Sequence, residues 1–159
     1  MSDVELKAKV PYRRRQVLFV CDGDAGLVEQ VLPRQVEMLA DRGFDTELLK
    51  LDGAVPEDLD FDPEDWDGLI VAVPVTGSGL RGGAPAPVVL DFLDACEDLD
   101  ELRVALLAVY RLKPGKALEA LEEKVAELGG EVICAHPLWL VRPTHEEHVV
   151  PAECMVRMR

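Results

Sequence analysis

Basic residues are scarce in this chain: 17 Lys and Arg stand against 31 Asp and Glu, a formal charge of -14. Phosphate contacts need clustered cations that displace counterions, so this balance excludes an ordinary nucleic-acid binder and disfavours an anionic membrane surface. No apolar run approaches the ~20 residues a transmembrane helix requires. The opening residues Met1 to Lys7 carry acids where a secretory signal has an apolar stretch, so a cytoplasmic location is expected. The four cysteines, Cys21, Cys96, Cys134 and Cys154, show no CxxC or finger spacing. Buried thiols in a reducing compartment are the ordinary reading, with disulfides or a metal as alternatives. No serine sits in a G-x-S-x-G elbow, and the three histidines (His136, His145, His148) offer no nucleophile–base pairing. His145-Glu146-Glu147-His148 lacks H-E-x-x-H spacing and runs into Val149-Val150-Pro151, which reads as a polar turn, so no metal site is assigned.

What is present is a core. Of 159 residues, 48% are hydrophobic, enough for one globular domain that folds without disulfides or metals. Gln16 to Cys21 and Leu69 to Val73 are continuous apolar runs, as is Leu102 to Tyr110 apart from Arg103, the pattern of strands buried on both faces. Phe44 to Leu51 reads as a less buried edge strand, and Glu131 to His136 begins a fifth. Between them lie helical patterns. Val28, Val31, Leu32, Val36, Leu39 and Ala40 recur at helical spacing before Gly43, with Pro33 as a kink or as first helical residue. Further helices carry Val88, Val89, Phe92 and Leu93, and span Ala117 to Leu128 before Gly129-Gly130. Residues 57–67 hold seven carboxylates in eleven positions, which permits only a short helix or a loop. Alternating strands and helices with short connections specify an α/β, doubly wound, five-stranded parallel sheet. The chain divides into an N-terminal arm (1–15), a domain (16–141) and a C-terminal tail (142–159).

In such sheets ligands bind beyond the carboxyl ends of the strands, where the strand order reverses. Three segments qualify. The first is Cys21-Asp22-Gly23-Asp24-Ala25-Gly26-Leu27, and the second is the Gly-rich Pro74-Val75-Thr76-Gly77-Ser78-Gly79. The third is Tyr110-Arg111 with Lys113 and Lys116.

Over about residues 16–141 the chain resembles the flavodoxin-like flavoproteins, such as flavodoxins and NAD(P)H-dependent FMN reductases. The likeness rests on Val20 to Val31 as strand, phosphate loop and helix. It rests also on Trp66-Asp67-Gly68-Leu69-Ile70-Val71-Ala72-Val73-Pro74 as the approach to a flavin-ring loop, and on Leu102 to Val109 with the helix ending Leu128-Gly129-Gly130-Glu131-Val132. The resemblance implies strand order 2-1-3-4-5 and FMN at the switch point between strands one and three. It implies a phosphate held by backbone N–H groups of Asp22, Gly23, Asp24, Ala25, Gly26 and Leu27. Pro74, Thr76, Gly77, Ser78 and Gly79 would meet the ring edge, Tyr110 would stack on the ring, and Arg111 and Lys113 would hold an anionic group.

The first segment departs from the family pattern S/T-x-T-G-x-T. Gly26 matches the glycine, but Ala25 and Val28 replace hydroxyl residues, and Asp22 and Asp24 bring carboxylates to a dianion site. Two unit charges ~4 Å apart repel by ~4 kcal/mol at an effective dielectric near 20. A helix terminus recovers only ~0.3–2 kcal/mol. Binding therefore requires that the acids point away or that Arg81, Lys113 or Lys116 folds over them. Two functions follow: an FMN-binding electron carrier or oxidoreductase, or a flavin-less structural or regulatory subunit of the same fold. A divergent nucleotide or small-anion binder using Lys113 and Lys116 is a third.

The resembled family ends in a long amphipathic helix. Here only 18 residues follow Val141, with Pro143 and Pro151 among them, so a shortened or missing C-terminal helix is expected. Strands apolar on both faces must still be shielded, by the tail, by a second copy or by another subunit. A homo-oligomer or a hetero-complex with a redox partner or other subunit is the resulting expectation.

Overall fold

The computed structural model describes residues 15–22, 32–51, 53–76, 84–85, 87–110, 116–139 and 150–157. Along the chain these form β1 (Arg15–Asp22), α1 (Leu32–Asp41), β2 (Phe44–Leu51), a single 3₁₀ turn (Pro63–Asp65), β3 (Gly68–Thr76) and β4 (Ala84–Pro85). After them come α2 (Pro87–Cys96), β5 (Arg103–Tyr110), α3 (Ala117–Glu127), β6 (Glu131–Trp139) and α4 (Val150–Arg157).

The sheet runs β2-β1-β3-β5-β6, every neighbouring pair parallel. The two-residue β4 lies off this path, antiparallel to β3 through Val75↔Pro85 and Thr76↔Ala84. Counting the five long strands alone, the order is 2-1-3-4-5, as the sequence resemblance implied. The segment expected to be a Gly-rich loop from Pro74 onward instead begins as strand: β3 continues to Thr76 before turning.

Side-chain alternation along the strands builds two cores. Leu18, Val20, Leu69, Val71, Val73, Val104, Leu106 and Ala108 face α2 and α3, where Val89, Phe92, Leu93, Leu121 and Val125 close over them. On the opposite face, Val17, Phe19, Cys21, Ile70, Ala72, Ala105, Leu107 and Val109 lie beneath Leu39 of α1 and Ala152, Met155 and Val156 of α4. Leu69 to Val73 and Val104 to Val109 are buried without exception. The acidic connector crosses the first face and is fastened there by Phe61, whose ring meets Phe92 edge-on at 6.3 Å.

The tail supplies the shield that the sequence left open. Helix α4 spans eight residues, shorter than the four turns of a long final helix, and its apolar side completes the second core. Pro151, expected to break any helix at that point, stands instead in its first turn, where a missing N–H costs nothing. Gly68 explains how so short a helix packs so closely: a Cβ there would run into the Met155 thioether.

Two local devices set the ends of the elements. The Gln16 N–H donates to Asp67 Oδ2 at 2.7 Å, and the Asp67 N–H donates to the Gln16 carbonyl at 2.7 Å. Asp67 thereby starts the β1–β3 ladder at the amino edge of the sheet. Helix α3 ends in a Schellman motif: the Gly130 N–H donates to the Val125 carbonyl at 2.9 Å and the Gly129 N–H to the Ala126 carbonyl at 3.0 Å. Gly129 takes φ +83°, a conformation L side chains rarely adopt.

Met155→Ala is expected to lower unfolding free energy by about 2–3 kcal/mol, since it opens a void over the second core. Gly129→Ala should cost about 1 kcal/mol through the left-handed backbone alone. Urea denaturation followed by circular dichroism checks both.

Candidate functional site

Parallel strands end together, and in this sheet they end in a stagger. Cys21 pairs with Ala72, which sets Asp22, the last residue of β1, beside Val73. Strand β3 therefore projects three residues farther, Pro74 to Thr76, a ledge of about 10 Å. On its other side Pro74 pairs with Val109, which brings Tyr110, the last residue of β5, beside Val75. The chain leaves β1 toward β2 on one side and reaches β5 and β6 from β3 on the other. The crevice at the β1–β3 boundary is thus the switch point, and Asp22, Thr76 and Tyr110 border it.

Of the residues expected to form a site, the structure brings together Asp22, Pro74, Thr76 and Tyr110 along this carboxyl edge. Pro74 is half-buried in β3, and Tyr110 is half-buried at the end of β5 on the α2–α3 side of the sheet. Lys116 stands exposed at the N-terminal cap of α3, on the same edge, and makes no side-chain capping bond. Gly23, Asp24, Ala25, Gly26, Leu27, Gly77, Ser78, Gly79, Arg111 and Lys113 lie outside the described residues, as do Arg81, His145 and His148. The Asp67-Gly68 pair is at the opposite, amino edge. There Asp67 starts the ladder and Gly68 makes room for Met155.

One polar group was not anticipated. Gln35 is fully buried in α1, and among the described residues neither its Oε1 nor its Nε2 has a hydrogen-bond partner. The sequence pattern put Val36 and Ala40 on the inward stripe. In the structure Gln35 and Leu39 face inward, while Val36 is half-buried and Ala40 exposed. A residue three after Leu32 and four before Leu39 falls on one helical face, which was the available signal. Gln35 lies one turn nearer the carboxyl edge than Leu39, about 6 Å along the axis.

None of the four cysteines is joined to another. Burial pushes the Cys96 thiol up to about 12 from 9.0, which makes it a packing residue. Among the described residues no cluster of His, Cys, Asp and Glu could hold a metal ion. Among them, too, no helix is long and apolar enough to cross a membrane.

No protein-family model matches the sequence, and curated protein sequences give no match. Solved structures do match. The two-electron reduced flavodoxin of Megasphaera elsdenii superposes with TM-score 0.71 at 18% identity, over 89% of this chain and 98% of that one. Fusobacterium nucleatum flavodoxin bound to flavin mononucleotide gives 0.56 at 15%, over 75% of this chain and 69% of that one. Rubredoxin:oxygen oxidoreductase from Desulfovibrio gigas gives 0.66 at 15%, over 98% of this chain and 40% of that one. At these identities the likeness is one of fold: the chain has a flavodoxin-like fold, similar to that of these flavodoxin and flavodiiron structures.

A buried amide without partners costs about 1–3 kcal/mol, so Gln35→Leu should raise unfolding free energy by about that amount in chemical denaturation. The Cys96 thiol keeps its proton in the folded chain to about 12, whereas the unfolded chain releases it near 9.0. Its contribution to stability is therefore fully present below pH about 9 and lost as pH rises toward about 12. Iodoacetamide at neutral pH should leave Cys96 unmodified until the chain unfolds, as peptide mass mapping would show.

Proposed function

We propose that the protein is an FMN-binding electron carrier of flavodoxin type. The observation that carries the reading is the stagger at the switch point, where Asp22, the Thr76 ledge and Tyr110 border one crevice in the 2-1-3-4-5 order. The flavin mononucleotide bound to the Fusobacterium flavodoxin of the same fold supports it.

The donor chemistry of the residues on the β3–β5 side supports the reading. Peptide groups and hydroxyls of Thr76, Gly77, Ser78 and Gly79 would hydrogen-bond the polar edge of the ring, and Tyr110, half-buried beside Val75, would lie against it. Backbone N–H groups of Gly23 to Leu27 would hold the phosphate, with Asp22 and Asp24 screened by Arg81, Lys113 or Lys116. When bound, the flavin supplies the redox chemistry, and the protein's part is to orient it and set the charge around it. The carboxylates of residues 57–67 would favour a basic redox partner.

The flavin-less subunit remains the second reading, favoured by one feature: Ala25 and Val28 stand where hydroxyls are expected beside two aspartates. Titration of the purified chain with FMN separates the two. Quenched flavin fluorescence with one-to-one stoichiometry is expected of the carrier, and unchanged fluorescence at saturating protein overturns it. Asp24→Asn removes a charge from the phosphate side, so it should tighten FMN binding by about tenfold or more.

A further inference from the structure

An open sheet has two edges, and in this one they differ. Edge strand β6 is interrupted twice. Its register slips between Val104↔Val132 and Ala105↔Cys134, which leaves Ile133 as a bulge, and Pro137 has no N–H to offer. Bulges and prolines are the ordinary means by which proteins blunt an edge against other strands. Edge strand β2 has neither. Phe44–Leu51 follows β1 residue for residue from Arg15↔Phe44 to Asp22↔Leu51, without a proline, and among the described residues no strand pairs the outer side of its stretch 46–51.

Two further features lie along that edge. Leu48 is 44% exposed, and among the described residues it is the one large hydrophobic side chain on the surface. Beside it, a groove of about 240 Å³ opens between β2 and the connector, floored by Leu18, Leu49, Leu59, Phe61 and Trp66. Glu47 and Asp60, both exposed, form its rim. The sequence of β2 and the connector is strongly acidic: residues 44–67 contain ten carboxylates and a single cation, Lys50.

We propose that the outer side of β2 at residues 46–51 is a strand-addition site for an extended, lysine- or arginine-rich segment of another protein. Main-chain N–H and C=O groups of the incoming segment pair with the outer side of β2, as in other β-augmentation complexes. Alternate side chains of a strand point to opposite faces, so an apolar side chain enters the groove while basic ones reach Glu47, Asp60 and their neighbours. A second copy of this chain is the wrong occupant, because edge-to-edge pairing would set Glu47, Asp60 and the rest of this acidic stretch against the same charges. The site is on the far side of β1 from the switch point and does not rest on the presence of flavin.

The test uses the full chain, isotope-labelled for amide spectroscopy, and a short peptide of alternating lysine and valine as probe. The expected result is amide shifts and slowed hydrogen exchange within 46–51 and along the connector. Affinity should fall by about tenfold or more for a peptide of equal charge whose backbone is N-methylated at alternate positions. A comparable loss is expected for a Glu47→Lys, Asp60→Lys variant, whose thermal melt confirms that these exposed positions leave the fold intact. Equal binding of the N-methylated peptide, or shifts confined to the carboxyl edge, would overturn the proposal. So would a sedimenting dimer that protects β2 without any peptide.

Discussion

Strands β3 and β5 carry apolar residues on both faces, and everything else in the molecule answers to that. A strand buried on one side can leave the other to water, but Leu69 to Val73 and Val104 to Val109 have no side to give. Two helical layers are obligatory, and the chain must reach both. It does so by sending α2 and α3 to one face and α1 to the other, then returning at its end with α4. The final helix is short because it has little left to cover. Met155 over side-chain-less Gly68 lets two turns do what a longer, looser helix would do elsewhere.

The sheet was legible because its signals are dense. Runs such as Gln16 to Cys21 have a single stable use in a chain of this size, and the order of strands and helices leaves few right-handed arrangements. The tail was harder to read. Pro151 signals a helix break or a helix start, and the choice depends on what lies beneath, here the second core. Gln35 was passed over for a related reason. Helical spacing alone tolerates a stripe through Val36 or through Gln35, and tertiary packing selects the latter at the cost of an unsatisfied amide.

The candidate site divides between what topology determines and what loop chemistry determines. Topology follows from core burial, so the convergence of Asp22, Thr76 and Tyr110 could be anticipated from strand ends. Ligand chemistry follows from a few residues outside the core, and there one exchange of hydroxyl for methyl or carboxylate changes the meaning without altering the fold. The Trp66-Asp67-Gly68 motif illustrates the converse. Its Asp67 and Gly68 start the strand at the amino edge, and the same run carries the chain to Pro74 and Thr76 at the carboxyl edge.

The ledge of β3 has a consequence for the sequence that follows it. Val75↔Pro85 and Thr76↔Ala84 grip both ends of the intervening seven residues at a backbone separation of about 5 Å. The clasp joins β3 to β4, so both ends of the intervening sequence are tied to the sheet. Under the proposed function, ring-edge donors carried by that sequence would be anchored at both ends to the central strand of the sheet.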